Sequence, residues 1–203
     1  MLLELFALLA VFLATVPGLA WPLVRRLSLE PAEKLVAATA LSLLGAYLAA
    51  WIIYVAGLPA SAYWCLPLLG VSGLGPHRRS FVATLRSPEA RALAIGQTLV
   101  TAWCLGWLAL VSTYSGGGWA ADWFEHWERA RFFIEGGAPE TIFIGHATLT
   151  ARPPLANVLV GAFATLVRLD FAVYQIASTL LASLVFLPAA LFARRWGGPR
   201  AIA

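Results

Sequence analysis

Long runs of residues without a charged side chain constrain the fold of this chain more than any other feature. The longest run extends from residue 35 to residue 76 and contains no Asp, Glu, Lys or Arg. One helical crossing of the ~30 Å hydrocarbon core of a bilayer needs about 20 residues, so this run is long enough for two crossings. The chain is also 61% hydrophobic and only 12% charged, whereas soluble domains are about a quarter charged. These patterns argue against a soluble domain and predict an integral membrane protein.

The charge-free runs predict an all-α, polytopic transmembrane helix bundle of about six spans. The runs are residues 5–24, 35–76, 92–114, 153–167 and 171–193. The run 35–76 provides two spans because Gly57-Leu58-Pro59 predicts a reversal, since proline disfavours a helix in the residue before it. An open chain in lipid must satisfy its backbone groups within helices, so no lipid-exposed strand is expected.

Two basic segments, residues 25–34 and 77–91, predict the orientation of the spans. Because Lys and Arg collect on the cytoplasmic side, both segments are predicted to be cytoplasmic. The long loop at residues 115–152 is then extracytoplasmic, and the chain is expected to be a multi-pass protein of the cell membrane, plasma or inner. The same alternation places Arg194 and Arg195 outside, against the rule for basic residues, and the sequence leaves this conflict open.

The chain therefore divides into three regions. Residues 1–114 form an N-terminal membrane region of about four spans, residues 115–152 form the extracytoplasmic loop, and residues 153–203 hold two further spans. No internal repeat or low-complexity tract interrupts this organisation.

The loop contains the sequence WAADWFEHWERARFFIEGG, which predicts an amphipathic helix that ends at Gly136-Gly137. Its apolar stripe consists of Trp119, Trp123, Trp127, Ala130 and Ile134, and its neighbouring polar face consists of Asp122, Glu125, His126 and Arg129. Tryptophan beside membrane spans is typical of the membrane–water interface. The helix is therefore predicted to lie flat on the outer surface of the membrane.

The polar face of this helix is the first candidate site. Asp122 and His126 are four residues apart and project from one face, with Glu125 beside them. A carboxylate there can act as a general base toward a hydroxyl or amine, and an imidazole can steer it or bind a phosphate. The alternative interpretation is a solvated polar face without chemistry. A divalent metal held by Asp122, His126 and His146 rests on a single i, i+4 pair, so no metal or cofactor is predicted.

Arg152 is the second candidate, because it directly precedes Pro153-Pro154 where the loop returns to the membrane. Its guanidinium either extends to lipid headgroups or binds a lipid phosphate through bidentate hydrogen bonds. The spacing does not decide between these two roles. No block of arginines with interleaved aromatics is present, so nucleic acid is not an expected partner.

The order of these residues resembles a known family. Asp122, His126, Ala130-Arg131 and Gly136-Gly137 are followed by Arg152-Pro153-Pro154-Leu155, Arg168-Leu169-Asp170-Phe171 and Leu191-Phe192-Ala193-Arg194-Arg195. This order is similar to the N-terminal part of the polytopic C-type (GT-C) glycosyltransferases, which include aminoarabinose lipid A transferases and protein O-mannosyltransferases. The resemblance covers roughly residues 115–200.

The resemblance implies an enzyme that moves a sugar from a polyprenyl-phosphate donor to a lipid, glycan or protein acceptor outside the membrane. It implies that Asp122 is the base or orients the acceptor. Because Trp123 stands where the family commonly has Glu, Glu125 would be the second acid. Arg152 would bind the phosphate side of the donor, with His146 and His126 also in substrate binding.

Two further expectations complete the sequence analysis. The family continues for more spans, and residues 199–203 look like the beginning of another one, so the chain is expected to be an N-terminal fragment. The alternative function is a non-catalytic multi-pass assembly or scaffold subunit, in which the Trp-rich loop is only an interfacial anchor. A transporter is less favoured, because the run 35–76 lacks the ionisable residues typical of an ion path.

Overall fold

The computed structural model describes residues 2–110, 120–138, 140–143, 147–148 and 155–197, and most of these residues are helical. In chain order the α-helices are α1 (Leu2–Thr15), α2 (Trp21–Val24), α3 (Pro31–Val55), α4 (Cys65–Leu74), α5 (Arg78–Arg86), α6 (Pro88–Leu110), α7 (Ala120–Ile134), α8 (Leu155–Thr165), α9 (Phe171–Ser183) and α10 (Phe186–Gly197). The 3₁₀ helices Ala60–Trp64 and Gly75–His77 flank α4. A short antiparallel pair, β1 (Ile142–Phe143) and β2 (Ala147–Thr148), aligns Ile142 with Thr148. The predicted all-α class is confirmed.

Three of the described helical segments are long and apolar enough to cross a membrane. They are α3, α6 and the continuous stretch Phe171–Gly197 that joins α9 to α10. Helices α1 and α8 are apolar but shorter. These segments support the predicted membrane protein.

Local sequence signals explain where the long helices begin and end. The backbone N–H of Glu30 donates to the carboxylate of Glu33 at 3.0 Å, with Pro31 in the first turn of α3. After α3 ends, Gly57 adopts a φ of +62°, a conformation that favours glycine and is typical of the residue that follows a helix. Helix α9 begins at Asp170, whose carboxylate accepts a hydrogen bond from the N–H of Val173 at 2.9 Å.

Helices α1 and α4 approach each other so closely that only glycine fits at the contact. A Cβ added at Gly70 would overlap the carbonyl oxygen of Ala14, and one added at Gly18 would overlap the carbonyl oxygen of Gly70. Small residues at such crossings are the usual means by which helices in membranes gain packing contacts. This contact holds the 3₁₀–α4 segment against the N-terminal helix.

The two ends of the bundle are identified by ion pairs and a hydrogen bond. At one end, here called the basic end, Arg194 lies 3.8 Å from Glu30 and Arg195 lies 3.7 Å from Glu33. At the other, here called the loop end, Arg168 lies 2.9 Å from Glu4. There too, the hydroxyl of Tyr54 in α3 donates to the carbonyl oxygen of Gly137 at 2.9 Å.

This arrangement bears on the predicted alternation of spans. Six alternating spans place Arg194 and Arg195 on the side opposite residues 25–34, yet both arginines contact the start of α3. Helix α8 has 11 residues and is therefore about 16 Å long. A helix of that length covers only about half of the hydrocarbon core. The number of six spans therefore stays a prediction.

We predict that Gly70→Ala destabilises the protein, because the added methyl group forces α1 and α4 apart. The expected loss is about 1–3 kcal/mol, as for other overpacked sites. Thermal unfolding of the purified protein in detergent measures it. The matched control is Gly106→Ala in α6, where an added Cβ meets nothing within 4 Å. It should be neutral or slightly stabilising, because alanine is the better helix former. An unchanged midpoint for Gly70→Ala would contradict the close α1–α4 contact.

Candidate functional site

Helix α7 is held against α8 at the loop end of the bundle. A Cβ added at Gly161 of α8 would lie 2.9 Å from the carbonyl oxygen of Ala130 and 3.0 Å from Cγ1 of Ile134. The absence of a side chain at Gly161 thus allows the two helices to meet closely. Gly136 follows α7 with a φ of +69°, and the N–H of Gly137 bonds to the carbonyl of Phe132 at 2.9 Å. The predicted end of the helix is therefore observed at these glycines.

The described part of the apolar stripe faces the bundle. Trp127 is buried, and its ring lies 5.4 Å from that of Tyr174 and 6.2 Å from that of Phe171 in α9. Ala130 is also fully buried. The sequence assigned this stripe to the membrane–water interface, but these two residues pack against protein. A role as an interfacial anchor does not by itself explain why Trp127 and Ala130 of α7 are buried against protein.

Two members of the predicted polar face form an ion pair in which the arginine is buried. The guanidinium of Arg129 donates to Glu125, four residues earlier, and the Arg129 side chain is only 2% exposed. The Nε of Arg129 is buried without a hydrogen-bond partner among the described residues. A buried arginine is stable only when its charge is compensated. The Glu125 carboxylate supplies that compensation, which gives Glu125 a positioning role.

The solvent-facing side of α7 carries a different set of charges. Arg131 lies 2.9 Å from Glu135 and 3.2 Å from Glu128, and all three side chains are exposed. The hydrogen bond to Glu135 is the main reason that the pKa of Arg131 is raised above its usual value. Exposed pairs at this spacing contribute little to stability. The predicted solvated face therefore exists, but it consists of these residues rather than Glu125 and Arg129.

His126 extends from α7 to α8 and meets a polar side chain there. Its Nδ1 lies 3.2 Å from Oδ1 of Asn157, which is 6% exposed. Because an amide oxygen accepts hydrogen bonds, this contact assigns the proton to Nδ1. The Nε2 atom then carries a lone pair, or a second N–H when the ring is protonated. Asn157 thus fixes the orientation of the imidazole.

The His126–Asn157 pair lies at the wall of a large apolar cavity. The cavity has a volume of about 690 Å³ and is formed by α3, α8 and α9 together with His126. Its walls are otherwise mainly aliphatic, with Leu43, Leu159 and Leu181 as representatives from the three helices. Pockets that bind small molecules commonly combine this size with an apolar lining and a few polar groups. This volume and lining suit a ligand with a long apolar tail and a polar head.

The sequence-predicted site residues fall into two groups. Glu125 and His126 are described, and the structure connects them to Arg129 and Asn157 respectively. Asp122 lies within α7, but its side chain is outside the described part of the structure. His146 and Arg152 lie outside the described residues. Their predicted roles in catalysis and substrate binding remain predictions.

Sequence reasoning missed two residues of this site. Asn157 is a lone amide in the apolar stretch LANVLVGAFA, and an isolated polar residue in such a run is a signal of function or pairing. Arg129 was placed on the polar face but not chosen, because its burial depends on how α7 packs.

The arrangement places one polar pair at an apolar cavity and one ion pair close by in the same helix. His126 lies at the wall of the cavity, and Arg129, three residues later, is buried and paired with Glu125. An imidazole in this position can form a hydrogen bond with the polar head of a ligand. Among the side chains that the structure describes, no group of three or more His, Cys, Asp or Glu lies close enough to hold a metal.

We predict that Glu125→Gln destabilises the fold by about 3–5 kcal/mol, because it removes the carboxylate that compensates the buried charge of Arg129. Chemical or thermal unfolding in detergent provides the measurement. The matched control on the same helix is Glu135→Gln, which removes the same group from an exposed i, i+4 pair with Arg131. The control should change stability by less than about 1 kcal/mol. Equal effects of both substitutions would show that Arg129 is not buried.

Comparison with known proteins found no relative of this chain. No family model, no curated protein and no solved structure matches the chain. A function for the site therefore has to be argued from its own residues and geometry.

Proposed function

We propose that the chain is the donor-binding part of a membrane glycosyltransferase that uses a polyprenyl-phosphate sugar. The observation that carries this proposal is the cavity of about 690 Å³, apolar along its walls and bordered by the His126–Asn157 pair. A polyprenyl phosphate has the same division between a long apolar chain and an anionic head. The resemblance of residues 115–200 to the GT-C family points to the same class of donor.

In this proposal the cavity holds part of the polyprenyl chain. Aliphatic side chains of α3, α8 and α9 would contact the chain, and the buried apolar area would supply most of the affinity. The phosphate would lie toward α7, where His126 borders the cavity. Arg152 would provide a hydrogen-bond donor on the phosphate side, as the resemblance implies.

The reaction would be a displacement at the anomeric carbon of the sugar. Asp122 would accept the proton of the acceptor hydroxyl while the acceptor oxygen forms its bond to that carbon. The bond between the carbon and the phosphate oxygen breaks, and the polyprenyl phosphate leaves with the electron pair. Cationic groups beside the phosphate would stabilise the leaving anion. Direct displacement inverts the anomeric configuration.

For the membrane arrangement we propose five crossings. They are α1 with α2, α3, the 3₁₀–α4 segment, α6, and the continuous stretch from α9 to α10. Helices α7 and α8 would lie together at the extracytoplasmic loop end. The proposal is supported by the pairing of Glu30 with Arg194 and of Glu33 with Arg195, which requires an even number of crossings between α3 and the end of α10. All the basic segments then lie in the cytoplasm, in accord with the rule for basic residues.

Cysteine labelling tests this topology. In a protein lacking Cys65 and Cys104, we expect a cysteine at Leu58 to react with a membrane-impermeant thiol reagent in intact cells. Cysteines at Ser80 and Trp196 should react only after the membrane is permeabilised. Leu58 and Trp196 are both exposed, at 50% and 78%, so access within the protein does not limit the reaction. Labelling of Trp196→Cys in intact cells would contradict the five-crossing arrangement.

Substitution of Asp122 tests the catalytic proposal. Asp122→Asn keeps the size and polarity of the side chain but removes the base, so we expect transfer to fall by about 10²–10⁴-fold. The assay uses membranes from cells that make the protein. It measures sugar transfer from polyprenyl-phosphate-linked mannose, glucose and aminoarabinose, and membrane abundance is quantified alongside.

Glu128→Gln is the matched control, because it removes an exposed carboxylate from the same helix. It should keep full activity. If Asp122→Asn keeps activity while Glu125→Gln abolishes it at normal abundance, Glu125 is the base. If no donor is consumed, or if both variants stay active, the glycosyltransferase proposal is wrong and the non-catalytic assembly subunit is favoured.

A further inference from the structure

Four arginines near the basic end have no acidic partner among the residues that the structure describes. Arg78, Arg79, Arg86 and Arg91 are exposed, and within the described part of the chain no carboxylate lies within 4.0 Å of any of them. By contrast, each described arginine from residue 129 to residue 195 pairs with Glu or Asp; these are Arg129, Arg131, Arg168, Arg194 and Arg195. Like charges concentrated without compensation repel each other unless an anion lies between them. The cluster therefore favours an external anionic partner.

Helix α5 presents three of these arginines on its outward face. Its inward face is fixed by Phe81, whose ring meets that of the buried Trp21 edge-on at 5.0 Å, and by Leu85, which packs near Leu93. Residues 78, 82 and 86 follow at the i, i+4, i+8 spacing of a single helix face. The apolar inward contacts hold the outward arginines in place, so their positive charge is concentrated on one surface.

The outward face forms a groove with cationic walls. The groove has a volume of about 590 Å³ and is lined by Arg78, Arg79, Val82, Ala83 and Arg86. The two short apolar residues leave space between the guanidinium-bearing side chains. Guanidinium groups bind phosphate oxygens through two parallel hydrogen bonds, so this groove fits a phosphate ester.

A second groove, which is apolar, lies along the start of α6. Leu85, the neighbour of Arg86 in sequence, begins this second groove, which continues along α6 past Ala94, Ile95 and Leu99. Its volume is about 350 Å³, and Arg91 stands on its wall. Ile95 is 52% exposed and Leu99 is 65% exposed, which marks this side of the candidate span α6 as facing hydrocarbon. The chain thus has a cationic groove on α5 and an apolar groove that Leu85 and Arg91 border.

We propose that the Arg78–Arg79–Arg86 groove binds the headgroup of an anionic phospholipid, such as phosphatidylglycerol, with an acyl chain in the groove along α6. The phosphodiester supplies the negative charge that the arginines lack, and the chain covers the apolar residues of α6. A free phosphate would satisfy only the first requirement. The site is distant in sequence from α7 and α8, and the proposal does not depend on the glycosyltransferase function.

Native mass spectrometry of the purified chain tests the proposal. The probes are dioleoyl phosphatidylglycerol and the zwitterionic dioleoyl phosphatidylcholine, each titrated in the same detergent. We expect the anionic lipid to bind more tightly. Because a basic residue at an anionic lipid surface contributes a factor of about five, Arg78→Gln/Arg79→Gln/Arg86→Gln should weaken binding about a hundredfold. Arg79→Gln alone should weaken it about fivefold.

The control removes the same net charge from arginines that already have acidic partners. Arg131→Gln/Arg194→Gln/Arg195→Gln should bind phosphatidylglycerol with the wild-type affinity. Equal losses in both triple variants would show a general charge effect and overturn the proposal. Equal binding of the two lipids would also overturn it, as would displacement of phosphatidylglycerol by inorganic phosphate. If the first triple variant does not fold, judged by its unfolding midpoint, Arg79→Gln decides the result.

Discussion

The burial of α8 is the constraint on which the loop end of the molecule depends. Residues 157–164 of this helix are all buried, although the helix is too short to cross a bilayer. Its apolar surface must therefore be covered by neighbouring helices, and α3, α7 and α9 provide that cover. Gly161 allows α7 to approach closely enough to complete it. The position of α7, and with it the candidate site, follows from this packing.

The same packing brings polar groups into an apolar region, where each needs a partner. A buried amide without a hydrogen bond costs about 1–3 kcal/mol, and a buried charge costs more. Asn157 pairs with His126, and the charge of Arg129 is compensated by Glu125. Each of these pairs includes a side chain from α7. Polar pairing and apolar packing therefore fix the same helix in the same place, which keeps the imidazole beside the cavity.

At the opposite end of the bundle, only some of the described arginines have acidic partners. There Arg194 and Arg195 pair with glutamates at the start of α3, whereas the arginines of α5 face outward with no acidic partner nearby in the described chain. In the proposed topology this end meets the cytoplasmic leaflet, whose anionic lipids attract basic residues. The proposed donor site and the proposed phospholipid site would then lie at opposite faces of the membrane. They would recognise phosphate groups on different lipids.

The sequence by itself determined the class of fold and the local ends of helices. Hydropathy and chain length predict membrane-spanning helices, and Gly57 and Gly136 mark their ends through a backbone conformation that favours glycine. The exposure of each face of α7 was decided only by the tertiary structure. Helical periodicity groups Glu125 with Arg129, but it carries no information about which neighbour covers them. Burial depends on contacts with α8 and α9, which are distant in the chain, so the partnership of His126 with Asn157 becomes visible only when the helices are packed.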